Sequence, residues 1–158
     1  MKYIDSTIIK GEKVIVSPQI HKIVYIKPFI FLGITTFMFL LIGCLDMTED
    51  TWLPLVLCEV IFILSGIIWY IYCKLYYTRV EMAVTNKRVV AKTGIISVHS
   101  EELQWNRIES IEIRQGILGR WLNYGDVYFS GTGTSFVRFG EVQDPWKVKA
   151  RSAEILSN

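Results

Sequence analysis

The sequence is poor in the residues that build metal sites and catalytic centres. It has only three cysteines, at positions 44, 58 and 73, and none forms a CxxC pair, which argues against a zinc site. The only histidines, His21 and His99, are far apart, and a lone histidine is weak support for a metal site. A GxSxG elbow, which marks many serine hydrolases, is absent. The sequence therefore predicts no metal, no cofactor and no catalytic residues, and we expect a protein that is not an enzyme.

An excess of charge of one sign is also missing. Lys and Arg total 17 against 15 Asp and Glu, so the net charge is only +2. A dedicated nucleic-acid binder carries a strong basic excess, so we expect no nucleic-acid partner. Hydrophobic residues, in contrast, make up 51% of the chain and aromatic residues 13%. This composition excludes a disordered or low-complexity chain.

The apolar residues are concentrated in two long runs. The run at 29–45 contains no charged residue, and the run at 52–73 contains one, Glu59. A bilayer core of about 30 Å requires about 20 apolar helical residues, so we predict two membrane-spanning helices. The alternative is a pair of buried core helices in a soluble protein. The predicted limits are 23–75 for the helical hairpin, about 25–45 and 52–73 for the spans, and 46–51 for the external loop.

The charges that flank the two spans predict their orientation. Residues 1–27 contain five lysines, and Lys74 and Arg79 follow the second span. The link between the spans has three acidic residues and no basic one. Because basic residues favour the cytoplasmic side, we expect both termini in the cytoplasm, including an N-terminal segment at 1–22. The protein is then a multi-pass protein of the inner membrane.

Glu59 lies inside the second predicted span, about 10 Å deep at 1.5 Å per residue. An ionised carboxylate that faced lipid there would cost a few kcal/mol. One interpretation is an intramembrane polar site that responds to protons or ions, or that joins subunits. The other is a protonated or snorkelling side chain without a special role. The second is favoured, since one acid without a basic partner in the membrane makes a poor relay.

Residues 76–158 have the mixed polar and apolar pattern of a folded domain. A change to helical spacing near the C-terminus, with Asp144 as N-cap and Pro145 in the first turn, predicts an amphipathic helix of about a dozen residues. Antiparallel strands followed by one helix predict an α+β fold, in which a curled sheet or small, partly open barrel is capped at one end by that helix. The period-two runs that predict strands are Arg79–Thr85, Arg88–Lys92, Ile95–Leu103, Ser110–Arg114, Val127–Phe129 and Phe136–Val142.

Several stretches carry a family resemblance. They are GEKV at 11–14, EMAVTNKRVVAKTGII at 81–96, RIESIEIRQGILGRWLNYGDVYFSGTGTS at 107–135 and DP at 144–145. In this combination and order, the chain resembles the bacterial membrane-anchored pleckstrin-homology-like (PH-like) family, of the second bacterial PH type. The resemblance covers nearly the whole chain. It implies a PH-like fold, in which two roughly orthogonal antiparallel sheets are closed by a C-terminal helix, and it implies no catalytic activity.

Basic and apolar side chains outside the spans are the candidate binding residues. The segment GILGRWL at 116–122 places Ile117, Leu118 and Trp121 around Arg120. It is either an interfacial wedge that touches lipid or a partner, or a helical turn that covers the open end of the sheet core. The second is favoured, because exposed Trp and Leu outside an interface promote aggregation. The candidate contacts to an anionic lipid or small anion are Lys87, Arg88, Lys92, Arg107, Arg114 and Arg120.

These features predict a membrane-tethered binding and scaffolding module that self-associates or binds other membrane proteins. Since the spans already anchor the chain, lipid affinity is not needed for targeting. Gly33, Gly43 and Gly66 allow close approach between helices.

The alternative is a sensor of a soluble anionic ligand or an anionic lipid headgroup that transmits to the spans. It requires one shared pocket formed by Lys87, Arg88, Arg107 and Arg114. An enzyme would instead require a deep cleft with a strongly shifted titratable group.

Overall fold

The computed structural model describes residues 2–44 and 52–156; the predicted external loop at 46–51 lies outside these ranges. The chain divides into two compact units, a helical unit (Lys22–Leu75) and a β unit that combines Met1–His21 with Tyr76–Asn158. The elements are α1 (Lys2–Thr7), β1 (Val14–Val16), α2 (Ile23–Gly43), α3 (Trp52–Arg79), β2 (Glu81–Thr85), β3 (Arg88–Thr93), β4 (His99–Gln104), a 3₁₀ turn (Trp105–Arg107), β5 (Ile108–Arg114), α4 (Ile117–Trp121), β6 (Tyr124–Gly131), β7 (Phe136–Gln143) and α5 (Pro145–Leu156).

The helical unit contains α2 and most of α3. The most apolar windows of these helices have mean hydropathies of 1.9 and 2.2, and only 6% and 11% of their residues are buried. A helix that is apolar all round is either a buried core helix or a membrane span. Both helices are therefore long and apolar enough to cross a membrane, and neither has the burial expected of a core helix.

The two long helices pack through aromatic rings and one glycine. The ring of Phe31 meets that of Trp69 edge-on, with 5.7 Å between centroids. A Cβ at Gly66 would lie 2.4 Å from Leu32 Cδ2, whereas a Cβ at Gly33 would meet nothing within 4 Å. Gly66 thus allows close packing within the hairpin, while Gly33 lies next to open space.

The β unit contains two antiparallel sheets, with strand orders β1-β2-β3-β4 and β5-β6-β7. The strands of each sheet pair in chain order and antiparallel; β1 and β2 are separated in the chain by α2 and α3. Helix α5 follows the last strand and packs against β5 and β6. This confirms the predicted α+β fold, with two sheets that are not closed into a barrel and a C-terminal helix.

The hydrophobic core lies between the two sheets. It forms because alternate side chains of each strand point inward, so that Val84 of β2 and Phe129 of β6 are both 0% exposed. The ring of Phe129 lies 5.1 Å from that of Phe139 and 6.5 Å from that of Trp105. Val148 of α5 completes this cluster.

The first 21 residues belong to the β unit, which the prediction of a separate N-terminal segment did not anticipate. Strand β1 pairs with β2, and Ile20 forms an isolated bridge with Val142 of β7. Ile4 of α1 is 3% exposed, and its amide donates to Glu81 Oε2 at 3.2 Å. The single buried face predicted for β2 is therefore not observed. Ala83 on the other face is also 0% exposed, in a strand that α1 contacts.

Several predicted strand boundaries differ from the structure by a few residues. The predicted strand at Ile95–Leu103 begins only at His99, and residues 94–98 form the β3–β4 loop. The C-terminal helix begins at Pro145 and has 12 residues, as predicted. Asp144 precedes it with a φ of +51°, and its carboxylate accepts a hydrogen bond from Asn123 Nδ2.

Candidate functional site

The connection between β5 and β6 contains the short helix α4, whose large apolar side chains are exposed. Gly119 in α4 is buried, and a Cβ there would lie 2.6 Å from the carbonyl oxygen of Tyr124. The Gln115 side chain donates from Nε2 to the same oxygen at 2.9 Å. Helix α4 therefore packs directly on the backbone of β6 and is held there by a side-chain amide.

The apolar side chains of α4 point away from the core. Ile117 is 85% exposed, Leu118 64% and Trp121 88%. The favoured interpretation expects these side chains to cover the open end of the sheet core, and with these exposures they do not. Trp146 of α5 is 59% exposed, and its indole N–H donates to Gln115 Oε1 at 2.9 Å. Gln115 thus links Trp146 to α4. We call the side chains of Ile117, Leu118, Trp121 and Trp146 the α4 surface.

Arg88, a candidate anion contact, lies in a nearly buried ion-pair cluster. Its guanidinium donates to the two Glu12 carboxylate oxygens at 3.0 and 3.2 Å, and to Glu102 Oε2 at 2.6 Å. The Glu12 side chain is 1% exposed. Its carboxylate also accepts from the Thr85 hydroxyl at 2.8 Å and from the Ile9 amide at 2.9 Å. Arg88 is therefore bound within the protein and fastens the N-terminal segment to the sheet.

Hydrogen bonding within this cluster outweighs the effect of burial. Burial alone would raise the pKa of Glu12, but the hydrogen bonds from Ile9, Arg88 and Thr85 hold it below its ordinary value. Burial would likewise lower the pKa of Arg88, but Glu12 and Glu102 raise it. Both members of the pair therefore remain charged near neutral pH.

The two lysine candidates also have partners in the β unit. Lys87 Nζ donates to the carbonyl oxygen of Lys10 at 2.9 Å. Lys92 Nζ lies 3.9 Å from Glu81 Oε1. Both lysines therefore contact groups of the chain itself.

The remaining basic candidates are dispersed. Arg107 and Arg114 lie at opposite ends of β5, about 20 Å apart at the rise of an extended strand, and Arg120 is exposed on α4. The shared pocket that the sensor alternative requires is therefore not observed.

The outer face of the second sheet contains an arginine that the sequence analysis missed. Arg138 of β7 lies opposite Tyr128 of β6 and donates to Asp126 Oδ2 at 2.7 Å. Its guanidinium carbon lies 5.7 Å from the Tyr128 ring centroid, and that of Arg114 lies 4.7 Å from it. Burial would lower the pKa of Arg138, but Asp126 raises it. This grouping depends on strand register, which the sequence does not specify.

A cavity of about 410 Å³ lies beside the last turn of α3 and was also not predicted. Tyr77 and Glu141 are in its wall, and the Tyr77 hydroxyl donates to Glu141 Oε2 at 2.8 Å. The Glu141 carbonyl oxygen accepts from the His21 amide at 2.8 Å. Glu141 therefore contacts both segments of the β unit that continue into the long helices.

Glu59, the candidate intramembrane polar site, contacts the neighbouring helix. The Thr36 hydroxyl donates to Glu59 Oε1 at 2.9 Å. Glu59 also lines an otherwise largely apolar cavity of about 270 Å³ within the helical unit, together with Met38 and Phe62. The carboxyl group thus has a hydrogen-bond partner inside the hairpin. A proton- or ion-responsive role stays a prediction.

The contact between Thr36 and Glu59 is expected to stabilise the hairpin modestly. In a double-mutant cycle with Thr36→Val and Glu59→Leu, we expect a coupling of about 0.6 kcal/mol and less than about 1.7 kcal/mol. The coupling is obtained from the free energies of unfolding of the wild type, the two single variants and the double variant, each measured on the full chain in lipid bicelles. Ser65→Ala is the matched control, because Ser65 donates to the Phe62 carbonyl of its own helix, does not line the cavity that Glu59 lines, and should not couple to position 59. Equal coupling in both cycles would contradict the prediction.

Among the residues that the structure describes, no group of three or more His, Cys, Asp or Glu side chains is placed to hold a metal ion.

Comparison with known proteins gives a match to one family. The family model described as Bacterial PH domain matches residues 29–155, about four fifths of the chain. The matched stretch includes most of α2, all of α3 and every strand from β2 to β7. No curated protein and no solved structure matches the chain.

Proposed function

The chain belongs to the bacterial PH domain family, and from this membership we propose that it is a membrane-tethered binding module without catalytic activity. PH-like domains are generally non-catalytic binding modules. In this proposal α2 and α3 anchor the chain in the inner membrane, and the β unit assembles proteins on the cytoplasmic side. The partner that we propose for the β unit is a second copy of the same chain.

The α4 surface is the observation that supports this proposal. Soluble domains rarely expose a contiguous group of large apolar side chains unless it contacts a partner. Tryptophan is enriched among the residues that contribute most to protein interfaces, and this surface has two, Trp121 and Trp146. Gln115 and Gly119 hold α4 against the backbone of β6. The side chains of the α4 surface are therefore exposed on a helix whose position is already fixed by these contacts. Binding there requires little ordering of the backbone, which reduces its entropic cost.

Self-association is favoured over other protein partners by symmetry and tethering. Two identical copies can pair an apolar surface with itself in an isologous contact, the commonest arrangement of soluble oligomers. Confinement of both copies to one membrane raises their local concentration, as linkage does for tethered modules. The open space beside Gly33 also leaves a face of α2 where a second helix can approach closely.

The contacts of the basic residues do not support the sensor alternative. Arg88 is bound to Glu12 and Glu102. Arg107 and Arg114 lie at opposite ends of β5. A binding module that uses the α4 surface therefore fits the described residues better than an anion sensor that uses the predicted arginines.

Mass measurement of the full chain in lipid nanodiscs and in mild detergent tests the proposal. We expect the wild type to be a dimer or larger assembly. The double variant Ile117→Ser, Trp121→Ser should bind itself at least about 10-fold more weakly, since truncation of one central interface residue costs about 2 kcal/mol. Both side chains are exposed, so the fold should be retained.

The matched control is Phe136→Ser. Phe136 is a large apolar residue that is 53% exposed in β7, outside the α4 surface, and its replacement should leave the assembly intact. A wild type that is monomeric at every concentration would overturn self-association. An assembly that survives the double variant would show that the α4 surface is not the interface.

A further inference from the structure

The β3–β4 loop exposes apolar side chains at a tight turn. Ile96 is 98% exposed, more than any other large apolar side chain among the described residues, and Val98 is 56% exposed. Gly94 opens the loop with a φ of +106°, and a Cβ there would lie 1.9 Å from the Ser97 carbonyl oxygen. The turn is therefore built around a glycine and holds the Ile96 side chain in solvent.

The strand register places this loop at the end of the sheet where the chain arrives from α3. Strand β2 begins two residues after α3 ends at Arg79, and its first residue, Glu81, pairs with Lys92 near the end of β3. Residues 94–98 follow directly. The cavity beside the last turn of α3 supports the same placement of the loop. Thr93, the last residue of β3, lines this cavity together with Tyr76 and Tyr77.

Helix α3 is longer than a membrane requires. Its 28 residues extend about 42 Å at 1.5 Å per residue, whereas the hydrocarbon core is about 30 Å thick. The last eight residues, about 12 Å, therefore lie beyond the hydrocarbon when Trp52 is at the far interface. They include Lys74, Tyr76 and Arg79, residue types typical of the membrane–water interface.

We propose that the β3–β4 loop inserts Ile96 and Val98 into the cytoplasmic leaflet, so that the bilayer surface is a binding partner of the β unit. This inference rests on the proposed membrane tethering. The loop has the composition of an interfacial contact, because an exposed isoleucine and valine lie at its tip. The basic residues of the flanking strand ends, Lys92 and His99, each lie near a carboxylate of the β unit, so the apolar side chains carry the contact. Exposed apolar side chains are stabilised when they leave water for the apolar part of a leaflet. The contact would fix the orientation of the β unit on the membrane.

Spin labels on the full chain in vesicles of phosphatidylglycerol and phosphatidylethanolamine test the loop. In a C44A/C58A/C73A background, single cysteines carry the label in the variants Ile96→Cys, Val98→Cys and Gln104→Cys. Gln104 is exposed at the opposite end of β4 and is the matched control. We expect the ratio of oxygen to nickel-chelate accessibility to be several-fold higher at 96 and 98 than at 104.

A label at position 61 separates this inference from the tethering on which it rests. Ile61 is 65% exposed on α3 and should be accessible to oxygen only. If the label at 61 is in lipid but those at 96 and 98 are in water, the loop contact is overturned and the tether stands. If the label at 96 were shielded from both oxygen and the nickel chelate, the contact with the leaflet would also be overturned, in favour of a contact with a protein partner. A label at 61 in water would overturn the tether itself.

Discussion

Replacing Arg88 with alanine is expected to destabilise the β unit by about 3–5 kcal/mol, the usual cost of removing one partner of a buried ion pair. Glu12, whose side chain is 1% exposed, would lose its guanidinium partner. Urea unfolding of the full chain in mild detergent, followed by tryptophan fluorescence, measures the loss. Trp105 contributes to that signal, because it is half-buried and its indole N–H donates to the Thr85 carbonyl at 2.8 Å.

The matched control for this prediction is Arg114→Ala. Arg114 also contacts a carboxylate, that of Glu112 at 3.4 Å, but its side chain is 68% exposed. Exposed ion pairs contribute about 0–1 kcal/mol, so the control should lose little stability. Equal and small losses in the two variants would contradict the interpretation that the Glu12–Arg88 pair stabilises the fold.

The same pair should make stability depend on acidity. Because the pKa of Glu12 is lowered in the folded chain, its contribution is complete above the unfolded pKa and is lost as the pH falls through the folded value. Between about pH 6 and about pH 3.5, the wild type should therefore lose more stability than Glu12→Gln. Parallel losses in the two proteins would show that another group is responsible.

Much of the β unit could be predicted because strand periodicity is a local property. Residues Arg88–Lys92 and Phe136–Val142 are predicted within one residue of β3 and β7. The C-terminal helix is equally clear, since Pro145 and the change to helical spacing both mark its start. Where period and turn residues agree, the sequence is sufficient to place the element.

The position of the N-terminal segment could not be predicted in this way. Strand β1 has only three residues, too few for a recognisable period. Its attachment depends on Glu12 and Arg88, which are 76 residues apart in the chain. For the same reason Arg88 looked available for an anion, since a sequence shows a charge but not its partner.

The exposure of the α4 surface was missed for a related reason. The letters GILGRWL fit a turn that buries Trp121 as well as one that exposes it. The choice depends on Gly119 and Gln115, which hold the helix against Tyr124 of the next strand. Such packing depends on tertiary contacts rather than on spacing along the chain.

Phe129→Ala is expected to cost about 3–5 kcal/mol, as is usual when a buried phenylalanine is truncated. The Phe129 side chain is 0% exposed, and its ring contacts Phe139 of its own sheet and Trp105 at the end of the other. Alanine would therefore leave a cavity at the place where the two sheets meet. The same urea unfolding experiment measures the loss.

Phe136→Ala is the control for this core substitution, because it removes the same side chain from a site that is 53% exposed. Its cost should stay within about 0.5 kcal/mol, the usual range for surface positions. If the two alanine variants unfolded at the same urea concentration, the sheets would be held together mainly by contacts other than the Phe129 cluster. A large loss for Phe129 alone would show that the core between the two sheets contributes strongly to the stability of the β unit.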